Sequence, residues 1–164
     1  MIGLLRNGAL EGLLAVGETL TKLVAAPAVA DRIFAAQVLG ESRLAGFYRP
    51  LLTLLHDREV SVQQAALMAA AKLQHPKLWP VVIAALASPQ TRATAQTTLI
   101  AAGAAVLPAL QQALAQADQA RVQKHYLRSN IAYLCGRIHA SHSTTLLLTQ
   151  LTYPEIGVRS QTLA

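Results

Sequence analysis

The stretch VSVQQAALMAAAKLQHPKLWPVVIAALASPQTRATAQTTLIAAGAAVLPALQQAL, residues 60–114, decides the fold. It reads as one unit written twice: an Ala-rich helix, a short break, then a second apolar helix. Val62-Gln63 and Thr91-Arg92 mark the two first helices. Pro80 opens the run Val81 to Leu86, and Pro108 opens Ala109 to Leu114. Proline suits the first turn of a helix, because the N–H it lacks has no intrahelical partner there.

Working outward, the first-helix marker recurs at Leu5-Arg6, Asp31-Arg32, Leu127-Arg128 and Val158-Arg159. In the Asp31 and Thr91 pairs the apolar member is absent. Pro50 opens another second helix at Leu51 to Leu55, and Thr145 takes the equivalent place before Leu146 to Leu151. Gly40, Gly103 and Gly136 are expected to end first helices, since glycine tolerates the left-handed conformation of a C-terminal cap. The spacing predicts helix pairs over 28–39 with 46–56, 60–73 with 77–87, 91–102 with 105–116, and 120–137 with 142–151. A shorter pair covers 3–16 and 18–25. The corresponding repeats are 1–26, 27–57, 58–88, 89–118 and 119–152, with a partial repeat at 153–164. Residues 156–164 are expected to fray or to mediate end-to-end association.

Composition agrees with this periodicity. The chain has 164 residues, of which 31 are Ala and 28 Leu, about 36%, while aromatics are only 4%. Ala and Leu lead the helix-propensity order, so the predicted class is all-α. With 53% hydrophobic and 13% charged residues, the composition argues against disorder. The apolar stretch Leu99 to Leu110 is interrupted by Gly103 and Pro108, which argues against a membrane span. A single Cys135 cannot form an internal disulfide. Phe34, Phe47, Tyr48, Trp79, Tyr126 and Tyr133 are expected to fill gaps between closely packed Ala-rich helices.

These elements resemble HEAT repeats of the short phycobilisome-lyase-like type. The likeness rests on Asp31-Arg32, Ala35-Ala36 and Leu39-Gly40, on Asp57, Val62-Gln63 and Ala65-Ala66, and on Arg92, Leu99, Gly103 and Pro108-Ala109-Leu110. It implies a right-handed α-solenoid of antiparallel helix pairs, with second helices lining the concave face. Residues 3–12 and 75–80 are further similar to the HEAT region of bacterial multidomain proteins with an ATP:ADP antiporter-like membrane domain. That likeness implies a fragment of a longer chain at the cytoplasmic face of a membrane.

The net charge of +6 raises an anionic partner. Residues 119–142 hold Arg121, Lys124, Arg128 and Arg137, with His125, His139 and His142 and no acid. With Tyr126 and Tyr133 they form the candidate anionic-ligand patch of an alternative reading, a HEAT-like nucleic-acid-binding protein or DNA glycosylase. Against it, Arg49 and Lys77 are the only cations in the predicted second helices after residue 26. A groove that follows phosphates needs more. The expected outward second-helix positions are Thr53, Gln111, Gln112, Gln116, Thr149 and Gln150, all uncharged. They are the candidate partner-binding residues.

Other chemistry is thin. Cys135, His139 and His142 are too few for a structural zinc site, and Cys135 is expected in the core. Arg32, Arg92, Arg128 and Arg159 are read as a structural ladder with acids such as Asp57 and Asp118 in the turns. Trp79 is expected to pack between repeats. The eight carboxylates form no catalytic pair, and no glycine-rich phosphate loop or nucleophile–His–acid set is present. The sequence therefore predicts no catalytic residue, metal or cofactor. It predicts a non-catalytic, cytoplasmic scaffold that binds a protein partner or another domain of its parent chain.

Overall fold

The computed structural model describes residues 17–119 and 124–138, with side chains left aside at 117–119 and 124–126. The described residues are all-helical, with no strand among them. A helical segment over 17–24 is α1. It is followed by α2 (Val29–Ser42), α3 (Tyr48–Leu55), α4 (Val60–Leu73), α5 (Trp79–Ala84), α6 (Arg92–Ala102), α7 (Leu107–Gln119) and α8 (Lys124–Arg137). Short 3-10 turns at Ala45–Phe47, Pro76–Leu78, Ala85–Ala87 and Gly103–Val106 join or flank the pairs. The expected pairs between 28 and 116 are therefore present, with ends that coincide, as in α4, or shift by up to three residues. Expected helices 3–16 and 142–151, and the segment 156–164, lie outside the described residues.

Each helix buries one stripe. In α2 it is Arg32, Ala35, Ala36, Leu39 and Gly40. In α4 it includes Val62, Ala65, Ala66, Ala69, Ala70 and Leu73, and in α6 Ala95, Thr98, Leu99 and Ala102. The i, i+3, i+4 spacing puts these on one face. Helix α2 packs on α4, α4 on α6 and α6 on α8, forming one layer. Helices α3, α5 and α7 pack in succession as a second layer. The layers meet through α2 with α3, α3 with α4, α5 with α6, and α7 with α8. Between them lies one apolar cluster running from Leu20 to Ile138, including Leu51, Leu54, Leu78, Val82, Leu86 and Leu110. Removing each such leucine from water contributes roughly 1.5–3 kcal/mol before the entropy of ordering it is counted.

Prolines and left-handed caps punctuate the chain. Pro50, Pro80 and Pro108 sit in the first turns of α3, α5 and α7. Helix α2 runs two residues past Gly40 and ends at Arg43, whose φ is 51°. Helix α4 ends at Gln74 with φ 50°. Gly103, at φ 59°, does end α6 as expected. Gly40 instead serves close approach: a Cβ there would lie 2.8 Å from the Cα and Cβ of Ala69. Gly136 is also inside its helix, one residue before the end of α8.

Residues 92–116 form one helical stretch long and apolar enough to cross a membrane by length and composition. The chain breaks within it at Gly103, and α6 packs on α4 and α5 while α7 packs on α5. At 1.5 Å per residue, α6 spans about 16 Å, half of the ~30 Å hydrocarbon core.

Candidate functional site

The recurring first-helix marker resolves into a turn clamp. Arg32 Nη1 donates to the carbonyl of Ala26 at 2.8 Å, Gln63 Nε2 to that of Asp57, and Arg92 Nε to that of Leu86 at 3.3 Å. Each reaches back six residues, to the turn that precedes its own helix. Thr91 Oγ1 does the same to Ala85 at 2.8 Å. Arg32 also forms a two-pronged pair with Asp57, through Nε at 2.7 Å and Nη2 at 3.2 Å. Burial pushes the Asp57 carboxyl up, but the Glu59 N–H and Arg32 outweigh it and hold it below its usual value. These groups are occupied in holding turns, which fits the ladder reading and removes them as a binding row. Arg159 lies outside the described residues, as does the Asp118 side chain.

The second layer exposes Thr53 on α3, and Gln111, Gln112 and Gln116 on α7. Between them α5 exposes Pro80 and Ala84, and Ala87 follows in its 3-10 extension. The expected partner-binding residues within the described part of the chain are thus at the surface. Thr149 and Gln150 lie outside it.

Of the alternative anionic patch, the side chains of Arg128 and Arg137 are described. Arg128 is 5% exposed and packs inside, so it does not belong to a solvent-facing row. Its position on α8 puts it among Ile131, Ala132 and Cys135, the buried stripe of that helix. Arg137 is exposed, with its guanidinium 5.9 Å from the Tyr133 ring centroid. Lys124 is on α8 by its backbone, its side chain being outside the description, and Arg121 lies outside the described residues.

Cys135 is in the core, and burial pushes its thiol up to about 11. His139 and His142 lie outside the described residues. Among the described residues no group of three or more His, Cys, Asp and Glu gathers. Trp79 is buried at 2% exposure, in keeping with a packing role. Phe34 and Tyr133 are corrections to the gap-filling expectation. Both are exposed, because they lie opposite the buried stripes of α2 and α8.

One constellation emerges that the pattern of amides alone does not reveal. Tyr48, at the start of α3, stacks on His75, in the turn after α4, with ring centroids 4.2 Å apart and planes 3° apart. Arg49 Nε donates to the Tyr48 hydroxyl at 3.2 Å, and Lys77 Nζ donates to it at 3.3 Å. Both cations also lie near the ring, Lys77 at 5.1 Å and Arg49 at 5.9 Å from its centroid. The Arg49 hydrogen bond, then that of Lys77, holds the Tyr48 phenol below its usual value. Among the described residues the ion pairs are Arg32 with Asp57 and Lys72 with Glu41, so neither Arg49 nor Lys77 has a carboxylate partner. The signal for this site is the pair of cations already singled out in the second helices. Tyr48 and Lys77 are 29 residues apart, about one repeat, and therefore fall beside each other on adjacent pairs.

No family model matches the chain, and no curated protein matches it.

Proposed function

We propose that the chain is a non-catalytic protein-interaction module, a short α-solenoid of HEAT-like helix pairs whose second-helix layer meets a protein partner. The two-layer succession supports the stacking, since helices contact their neighbours along the chain and in the adjacent pair, α2 packing chiefly on α4, α4 on α2 and then α6, and α3 on α4. The observation that carries the function is the exposed side of α3, α5 and α7. There Thr53, Pro80, Ala84, Gln111, Gln112 and Gln116 present hydroxyl, amide and small apolar groups, and the charged side chains described on that side are Arg49 and Lys77. A surface with so few cations suits a folded or extended polypeptide better than a phosphate backbone, which draws affinity from a row of Lys and Arg.

Site-specific photo-crosslinking in cells tests the reading. A benzoylphenylalanine placed at Gln112 is expected to give a discrete protein adduct, and the same probe at Thr97, exposed on the other layer, is expected to give none. Absence of any adduct from Gln112 overturns the proposal. So does submicromolar binding of duplex DNA at physiological salt with a steep salt dependence.

A further inference from the structure

We propose that Arg49, Lys77, Tyr48 and His75 form a carboxylate-binding site that receives an acidic side chain of a polypeptide lying on the second-helix layer. The proposal rests on the interaction-module reading and assigns that surface its one charged contact.

Three observations converge on it. The first is geometry. Arg49 and Lys77 come from adjacent helix pairs, yet both donate to one phenolic oxygen, at 3.2 and 3.3 Å. The Tyr48 hydroxyl thus acts as a pivot that gathers two donors with several N–H groups still available. A guanidinium carries five N–H donors and an ammonium three, and each spends one on Tyr48. The remaining donors suit a carboxylate, which accepts at two oxygens.

The second observation is rigidity. Tyr48 and His75 are stacked and half-buried, and Tyr48 packs against the core. His75 is fixed further by the backbone N–H of Lys77, which donates to its Nδ1 at 3.3 Å. The aromatic pair is a platform that restricts the two long cationic side chains. Less rotamer freedom is then lost when an anion binds.

The third is charge. Among the described residues the exposed Lys72 has a carboxylate partner, Glu41. No described carboxylate pairs with Arg49 or Lys77. Two cations side by side repel one another, and an incoming anion relieves that repulsion. The neighbouring exposed positions, Thr53, Pro80 and Ala84, are uncharged, so the positive field is local. One or two carboxylates match it; a polyanion that needs a continued row of cations does not.

The test uses the full chain and follows the ring resonances of His75 and Tyr48 by NMR. The probes are acetyl-tetraglutamate amide, inorganic phosphate and decathymidylate, each titrated separately. The acidic peptide is expected to shift both residues saturably. In the Arg49→Gln/Lys77→Gln double variant its affinity should fall at least five-fold, while Lys72→Gln should leave it unchanged. Both altered residues are exposed, and an unchanged thermal midpoint confirms that the fold is intact. No peptide-induced shift, or one insensitive to the double variant, overturns the site. Tighter binding of phosphate or decathymidylate at the same residues overturns the assignment to a polypeptide carboxylate. If the titration fails while the Gln112 crosslink persists, only the carboxylate site falls. If the Gln112 crosslink is absent, the module reading itself falls.

Discussion

At the residue scale, Asp57 shows how one short side chain closes a repeat. Its carboxylate accepts from Arg32 at 2.7 and 3.2 Å and from the N–H of Glu59 at 2.9 Å. Its own carbonyl accepts from Gln63. The side chains of Arg32 and Asp57 are 7% and 11% exposed, so water does little to replace a lost partner. Asp57→Asn is expected to lower stability by about 2 kcal/mol at neutral pH, the scale of losing a charge-assisted pair at a mostly buried site. The folded carboxyl titrates below its unfolded value, near ~3.9 for an ordinary Asp. The ionic contribution is therefore present above that value and lost as pH falls through the folded one. Urea melts should give the full gap between wild type and variant at pH 6, shrinking at pH 3. An equal gap at both pH values would refute the ionic account. The Arg32–Asp57 pairing was legible because both residues recur at repeat boundaries. The burial of Arg128 was not. The inward column runs Arg32, Val62, Thr91 and Arg128, taking the second member of the first and last of these marker pairs and the first member of the two between. A shift of one residue turns a helical position by about 100°, and the sequence marker does not register it.

At the element scale, the crossing of α2 and α4 depends on small residues. Gly40 meets the backbone of Ala69, where an added methyl would come within 2.8 Å of two carbons. One of those is a Cα, which cannot swing aside. Gly40→Ala is expected to cost about 2–3 kcal/mol by forcing the helices apart, although alanine is the better helix former in isolation. Chemical denaturation checks the sign: a neutral or stabilising result would mean that the crossing adjusts freely. The sequence predicts a helix end at Gly40, because a lone Gly after an Ala/Leu run is most often a cap. The contact that requires it is made with a residue 29 positions later, and local pattern carries no trace of that. The ends of α2 and α4 fall instead on Arg43 and Gln74, neither of which is a customary left-handed cap. The prolines were better guides, because what they specify is local.

At the scale of the whole molecule, helix type and order were legible from the roughly 30-residue period. The Tyr48 site was only partly so, since a stacked ring pair depends on the register of neighbouring repeats. The same short-range design bears on how the chain unfolds. Helix α2 packs on α4, α4 on α6 and α6 on α8, so a disturbance at α2 passes through three interfaces along this layer to reach α8. In a linear stack stability is a sum of unit and nearest-neighbour terms, and an end unit can open while distant ones stay closed. Leu39 is fully buried in α2, and truncating it removes roughly 3 kcal/mol from that unit and its contacts. Native-state hydrogen exchange on Leu39→Ala is therefore expected to show lost protection in α2 and α3, while α6 and α8 keep most of theirs. A globular bundle with one cooperative core would lose protection by the same amount everywhere. Uniform loss across α2, α4, α6 and α8 would contradict the stacked-repeat reading. Graded loss, falling with distance from Leu39, would support it independently of any partner.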